Sequence, residues 1–180
     1  MPSAADLARG APVVVRARRP ADLSTLVQVL RDVHGAVGYP SVWPDDPAAF
    51  VAGPGGETAE AWVAERAGQV VGQVLLAPLP DPHPDWAVRA DLPAGTLEVK
   101  RLFVYPGAQR SGAARALLTH VLREVQARDV GAALQVNEHS APAVRLYERG
   151  GWRFRTRTRA AWTDPDGTHP WVRVYTSPGT

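Results

Sequence analysis

The sequence predicts an α/β fold, a mixed β-sheet with helices packed on it. Three observations carry that expectation. Short apolar stretches bounded by turn residues recur along the chain as strand candidates. Two segments, one from Leu23 to Leu30 and one from Ala113 to Arg128, repeat apolar residues at helical spacing. Between Leu97 and Arg149 strand and helix candidates alternate, and that order demands a parallel crossover, which is right-handed in nearly all proteins. The full order reads β-α-α-β-β-β-α-β-α-β-β.

The elements follow from the residues in turn. Residues 1–12 are small and polar and read as a flexible tail; residues 13–180 read as a single domain. Val13, Val14 and Val15 make a short strand. Pro20 and Ala21 lead into a helix bearing Leu23, Leu26, Val27 and Leu30, which Gly35, Gly38 and Pro40 end. Tyr39-Pro40-Ser41-Val42-Trp43-Pro44 reads as an aromatic loop, Pro47 to Ala52 as a second short helix, and Gly53-Pro54-Gly55-Gly56 as a break. Glu60–Arg66 and Val70–Leu76 form a hairpin about Ala67-Gly68-Gln69. Pro78 to Thr96 reads as a long loop, and loops of that length are commonly functional. Leu97–Val104 is a strand. Ala113–Arg128 is the best-patterned helix, with Leu117, Leu118, Val121, Leu122 and Val125 as its stripe. Ala133–Val136 is a short buried strand, and Ser140–Arg149 a helix with Ser140 as N-cap. Trp152–Trp162 and Trp171–Tyr175 pair about the turn Asp164-Pro165-Asp166-Gly167.

Composition excludes several classes. Of 180 residues, 45% are apolar and 21% charged, which suits a soluble globular chain. No apolar run nears the roughly 20 residues of a membrane span. The N-terminus lacks a basic segment followed by an apolar one, so no signal peptide is expected. There is no cysteine, which removes disulfides, thiolate metal sites and thiol nucleophiles, and suits a reducing cytoplasm. The histidines at 34, 83, 120, 139 and 169 are scattered and lack ligand spacing, so no metal is expected. The formal net charge is only +2, although the pI is about 9.4. That balance gives no general case for nucleic acid but leaves room for a local anion site.

One stretch carries chemistry. Val104-Tyr105-Pro106-Gly107-Ala108-Gln109-Arg110-Ser111-Gly112-Ala113-Ala114 takes a strand through a small-residue loop into the long helix. The first N–H groups of a helix have no internal partner, and they carry the positive end of the dipole. Such a terminus suits phosphate or pyrophosphate. Gly112, Ala113 and Ala114 allow close approach, and Arg110 and Arg115 add charge.

The run from Leu97 to Trp152 resembles the acetyl-CoA-binding half of the GNAT acetyltransferases. The first family motif, Gln/Arg-x-x-Gly-x-Gly/Ala after a strand ending in Val-x-Pro, stands here as Gln109-Arg110-Ser111-Gly112-Ala113-Ala114 after Val104-Tyr105-Pro106. The second stands as Leu134–Val136 followed by Leu146-Tyr147-Glu148-Arg149-Gly150-Gly151-Trp152. Each alone is weak; their order and spacing together are specific.

The resemblance implies a GNAT-like fold, with a mostly antiparallel mixed sheet and one parallel crossover. It further implies an acetyl-CoA-dependent N-acetyltransferase acting by direct attack in a ternary complex. Leu102, Phe103 and Val104 would pair their backbone with the pantetheine arm, and Val104 N–H would face the developing oxyanion. Gln109, Arg110, Ser111, Gly112, Ala113, Ala114 and Arg115 would cradle the pyrophosphate, and Tyr147 would protonate the departing thiolate. Ser140 stands where many members have an asparagine facing the cofactor arm, and Asn137 is a neighbour able to substitute. Trp152 replaces the usual phenylalanine.

Acetyl transfer needs a neutral amine, so something must accept a proton. Glu98 stands where some members keep a catalytic glutamate; a carboxylate paired with Lys100 or Arg101 is the structural alternative, and water is another acceptor. Gln135 stands at the other such position and is no base. Tyr39, Trp43 and Trp86 are candidate acceptor-pocket residues. Arg153, Arg155, Arg157 and Arg159 alternate along one strand, which puts four guanidinium groups on one face. That face is a solvated surface, a site for an acidic acceptor or partner subunit, or an RNA surface. Members often pair through their C-terminal strands, so a homodimer is one expectation. The rival function classes are a catalytically silent acyl-CoA-binding module and an RNA-binding protein using the arginine strand. The acceptor is a small-molecule or protein amine.

Overall fold

The computed structural model describes residues 11–53 and 59–179. Most of the expected tail and of the Gly53–Gly56 break lies outside them. Seven strands form one sheet in the order β1-β2-β3-β4-β5-β7-β6. They are β1 (Val13–Ala17), β2 (Glu60–Arg66), β3 (Gln69–Pro78), β4 (Leu97–Val104), β5 (Ala132–Asn137), β6 (Arg153–Arg159) and β7 (Trp171–Thr176). The helices are α1 (Leu23–Val37), α2 (Pro47–Ala52), α3 (Asp85–Arg89), α4 (Ala113–Ala127) and α5 (Ala141–Arg149). β4 and β5 run parallel, with Leu97 beside Ala132 and Glu98 beside Ala133, whereas β5 with β7 and β6 with β7 are antiparallel. The mixed α/β class expected from the sequence is therefore the class observed.

The described chain falls into two compact units that alternate along it. The first runs to Leu75 and takes up Arg101–His120; the second holds Leu76–Lys100 and the chain from Val121 on. In the first, α1 lays its stripe of Leu26, Val29, Leu30 and Val33 against Val51 of α2, Val63 of β2 and Phe103 of β4. All seven are buried. Fully burying an aliphatic side chain of this size contributes about 1.5–3 kcal/mol. Polar clamps set the flanks of this core. Arg16 on β1 grips both Asp22 oxygens, at 2.7 and 2.9 Å, and also donates to Glu65 on β2 at 2.8 Å. Arg18 donates to the Val51 and Ala52 carbonyls at the end of α2 and to the buried Gln73 of β3. Helix-end carbonyls lack internal partners, and here a guanidinium supplies them. Gly35 does not end α1, which runs on to Val37 and stops at Gly38.

In the second unit, the stretch Pro78–Thr96 corrects the sequence reading. It is not a structureless loop. Its centre folds as α3, and Trp86, Ala87, Ala90 and Leu92 pack on Ala133 of β5 and Val174 of β7. Trp86 is a core residue of this cluster. Burial of a tryptophan, a leucine and two alanines outweighs the weak propensity of a five-residue helix flanked by prolines.

Candidate functional site

The first unit carries the end of β4 and the start of α4. Tyr105 N–H donates to the Val71 carbonyl of β3 at 2.7 Å. A Cβ added at Gly72 would stand 2.5 Å from the Phe103 carbonyl oxygen, so that oxygen also faces β3. Backbone polar groups alternate in direction along a strand. Leu102 and Val104 therefore turn their N–H and C=O groups to the edge away from β3, while the Phe103 side chain fills the core. This is the orientation expected for backbone pairing with an extended ligand arm.

Beyond β4, Pro106–Ala108 form one 3-10 turn, and Arg110 and Gly112 adopt left-handed φ of 68° and 86°. Gly112 is needed there for its freedom at positive φ, and the space above it is open: a Cβ would meet nothing within 4 Å. The first helical bond of α4 runs from Ala116 N–H to the Gly112 carbonyl at 2.8 Å. Ala113 N–H, one turn too early for a helical partner, reaches the Ser111 hydroxyl at a long 3.3 Å. Ala114 and Arg115 stand in the same first turn, where the ladder offers no acceptor. Gln109, Arg110 and Arg115 are exposed beside it. Convergent N–H groups, a helix dipole, two guanidinium groups and open space suit a pyrophosphate.

The loop after α1 lies in the same unit. Tyr39 packs its ring 6.5 Å from Phe50 and 6.4 Å from Phe103. Burial pushes its phenol up to about 12, against the opposing pull of the Arg101 charge. Trp43 packs 5.3 Å from His34, with Arg31 over its ring at 5.5 Å. His34 Nδ1 lies 2.7 Å from the Pro40 carbonyl, which pins the loop to the helix end. The sequence offers Arg101 only as an ion-pair partner for Glu98, and the pair the structure shows is with Lys100. Arg101 sits at φ 52° within β4, with its guanidinium 3.4 Å above the Phe50 ring. A lone arginine inside a strand gives no sequence signal for either feature.

In the second unit, Glu98 is buried on β4 and ion-paired with Lys100 at 3.1 Å. Two residues apart on one strand, the pair shares a face. Gln135 on β5 buries its Oε1 with no hydrogen bond among the described residues. Tyr147 on α5 is buried in an aromatic group, 6.0 Å from Trp152 and 6.2 Å from Tyr175. Ser140 stands at the N-cap of α5 but makes no side-chain cap bond, contrary to the sequence reading. Asn137 is engaged: its Oδ1 accepts from His139 N–H at 3.0 Å.

The four arginines of the late strand are all exposed on β6. A register shift between Phe154 and Thr156 interrupts the alternation. Arg155 donates to the Ala90 carbonyl at the end of α3, and Arg157 forms a two-bond pair with Glu138 at 2.7 Å. Arg157 and Arg159 lie 3.9 and 4.1 Å from the Trp171 ring centre. Arg159 also donates to the His169 carbonyl at 2.8 Å, so three of the four guanidinium groups make contacts within the chain, while all four arginines of β6 stay exposed. Among the described residues no group of three or more His, Asp or Glu is placed to hold a metal ion, and no helix is long and apolar enough to cross a membrane.

Comparison with known proteins accords with this geometry. The family profile described as "Acetyltransferase (GNAT) family" matches residues 25–152. Among solved structures, the ribosomal-protein-S18-alanine N-acetyltransferase from Escherichia coli is similar with a TM-score of 0.69 at 21% identity, over 92% of this chain and 93% of that one. NAA60 from Arabidopsis thaliana, solved in complex with acetyl-CoA, gives 0.72 at 22% identity over 91% and 97%. An N-acetyltransferase from Staphylococcus aureus Mu50 gives 0.71 at 15% over 92% and 98%. Identities this low speak for the fold alone. No protein of curated function matches the sequence.

Proposed function

The chain belongs to the GNAT acetyltransferase family, and from that membership we propose that it is a single catalytic domain moving an acetyl group from acetyl-CoA to a primary amine by direct attack in a ternary complex. The observation that carries this reading is the junction of β4 and α4, where Gly112 opens space above N–H groups that the helix cannot satisfy. The NAA60 structure with acetyl-CoA, similar in fold, supports the choice of donor.

The residues divide the work. Gln109–Arg115 hold the pyrophosphate through backbone N–H groups and the Arg110 and Arg115 charges. Leu102 and Val104 pair with the pantetheine arm through backbone groups turned away from β3, as an added strand does. Bound acetyl-CoA supplies the thioester carbonyl that the amine attacks. Val104 N–H donates to that carbonyl oxygen, where negative charge develops. Glu98 takes one proton from the attacking amine, directly or through water, exchanging part of its contact with Lys100 to do so. Tyr147 O–H gives one proton to the sulfur as the C–S bond breaks. The absence of cysteine removes a thiol acyl-enzyme and is in keeping with direct transfer in a reducing cytoplasm.

Tyr147→Phe tests the assignment. The ring and its packing on Trp152 and Tyr175 stay, and the proton donor goes. The expected result is a loss in kcat of about 10²–10⁴-fold in protein that still unfolds cooperatively. Released CoA is read with a thiol reagent, which meets no cysteine in the protein. Unchanged CoA release on an accepted amine would show the acid role to be wrong.

A further inference from the structure

We infer that Gln135 receives the acceptor of the transfer, its side-chain oxygen taking one N–H of a primary ammonium whose second N–H goes to Glu98. The inference deepens the acyl-transfer reading and rests on it for the role of Glu98. All the residues involved belong to the second unit. The starting point is an atom without a partner. Gln135 Oε1 is buried on β5 and accepts no hydrogen bond among the described residues. A buried polar atom left so destabilises the folded chain, and in a native protein each such atom calls for a reason. Register supplies its neighbours. Glu98 of β4 lies beside Ala133, and Gln135 follows two residues on along β5. One strand spacing and two residues set the Cα atoms of Glu98 and Gln135 about 8 Å apart, with both side chains on one face. Gln135 also lies opposite Val174 of β7, and α3 packs on Ala133 and Val174. The two polar groups therefore stand at the margin of an apolar cluster.

The chain itself shows what this carboxylate holds. Lys100 Nζ, a primary ammonium, lies 3.1 Å from Glu98 Oε2. The Lys100 side chain keeps 30% of its surface exposed, and its flexible stem can swing the ammonium into solvent as an acceptor arrives. Gln135 is itself only partly buried, so its oxygen lies just beneath the surface. An ammonium has three donors and no acceptor. Glu98 takes one N–H and Gln135 a second. When Glu98 removes its proton, the hydrogen bond to Gln135 remains and fixes where the freed lone pair points. Gln135 is no base; it holds the nitrogen that Glu98 deprotonates. An amine with a single N–H cannot fill both places.

The test screens propylamine, alaninamide and short peptides with a free amino end, using the full chain and acetyl-CoA, and carries forward each amine that releases CoA. Gln135→Leu raises KM for these amines by about tenfold or more, the worth of a hydrogen bond to a charged group, and lowers kcat less. Gln135→Glu keeps an oxygen in place and holds KM closer to the parent's. The N,N-dimethyl derivative of an accepted amine spends its one N–H on Glu98, so it inhibits the parent and Gln135→Leu equally well. Thermal unfolding separates this role from a structural one. Gln135→Leu exchanges an unpartnered polar atom for an apolar one and unfolds at or above the parent temperature. A parental KM in Gln135→Leu, or a raised KM that comes only with lost stability, overturns the inference. If no amine releases CoA, the acyl-transfer reading falls, and calorimetry with the same amines decides the seat. Binding that Gln135→Leu weakens keeps it; equal binding, or none, removes it.

Discussion

Asp22 accepts two guanidinium bonds from Arg16 and a third from Arg19 N–H at 2.6 Å, with 8% of its surface exposed. The Arg16 hydrogen bonds, outweighing the burial that opposes them, hold its carboxyl below the ordinary 3.8. A carboxyl depressed on folding stabilises the native state above its unfolded pKa, and that contribution is lost as pH falls through the folded value. Asp22→Asn should therefore cost about 1–3 kcal/mol at pH 7. The gap to the parent should close as pH drops below about 3.8 and on through the folded value, where both side chains are neutral. Urea midpoints at pH 7 and pH 2.5 read this directly; a gap of constant size would mean that the charge is not the cause. Legibility at this scale is uneven. The proposed phosphate cradle is local, the eleven residues Val104–Ala114 and the adjacent Arg115, whose small side chains and two arginines announce it. The partners of Arg155 and Arg157 lie 65 and 19 residues away, and no strand pattern reveals that they are consumed. Arg101 is hidden for a similar reason: its stacking partner, Phe50, belongs to another element.

At the scale of elements, strands and long helices read well because burial imposes their periods. β4 matches its expected bounds, and α4 differs by one residue at its end. α3 escapes because five residues between prolines show no period; its helix exists only through packing on β5 and β7. The β3–β4 contact is likewise invisible in sequence, although Gly72 marks it. With a Cβ, residue 72 would lie 2.5 Å from the Phe103 carbonyl oxygen and 3.0 Å from Val104 Cα. Backbone cannot yield as a side-chain tip does. Gly72→Ala should cost about 1–3 kcal/mol through overpacking. It should also weaken CoA binding, since the Val104 edge moves with β4. Paired unfolding and binding measurements check both effects. A Gly72→Ala protein of parental stability would refute the close approach.

For the whole molecule, the donor should act as a folding ligand. A compound that binds only the native chain stabilises it by about 2.7 kcal/mol at 100 times its Kd. In a chain of 150–250 residues each kcal/mol moves Tm by about 2–4 °C, so saturating acetyl-CoA should raise Tm by about 5–10 °C on these two scales. Salt distinguishes how the binding energy arises. Arg110 and Arg115 are exposed beside the helix terminus, and exposed charges are screened over about 10 Å at 0.1 M salt. The proposed backbone pairing of Leu102 and Val104 with the donor is not an ionic contact and should persist. The shift should therefore shrink, without vanishing, between 50 and 500 mM salt (about a threefold fall in screening length). Arg110→Gln with Arg115→Gln should abolish most of the salt-dependent part and leave the rest. A thermal shift that ignores salt, or a double variant that loses it entirely, would place the binding energy elsewhere than in the β4–α4 junction.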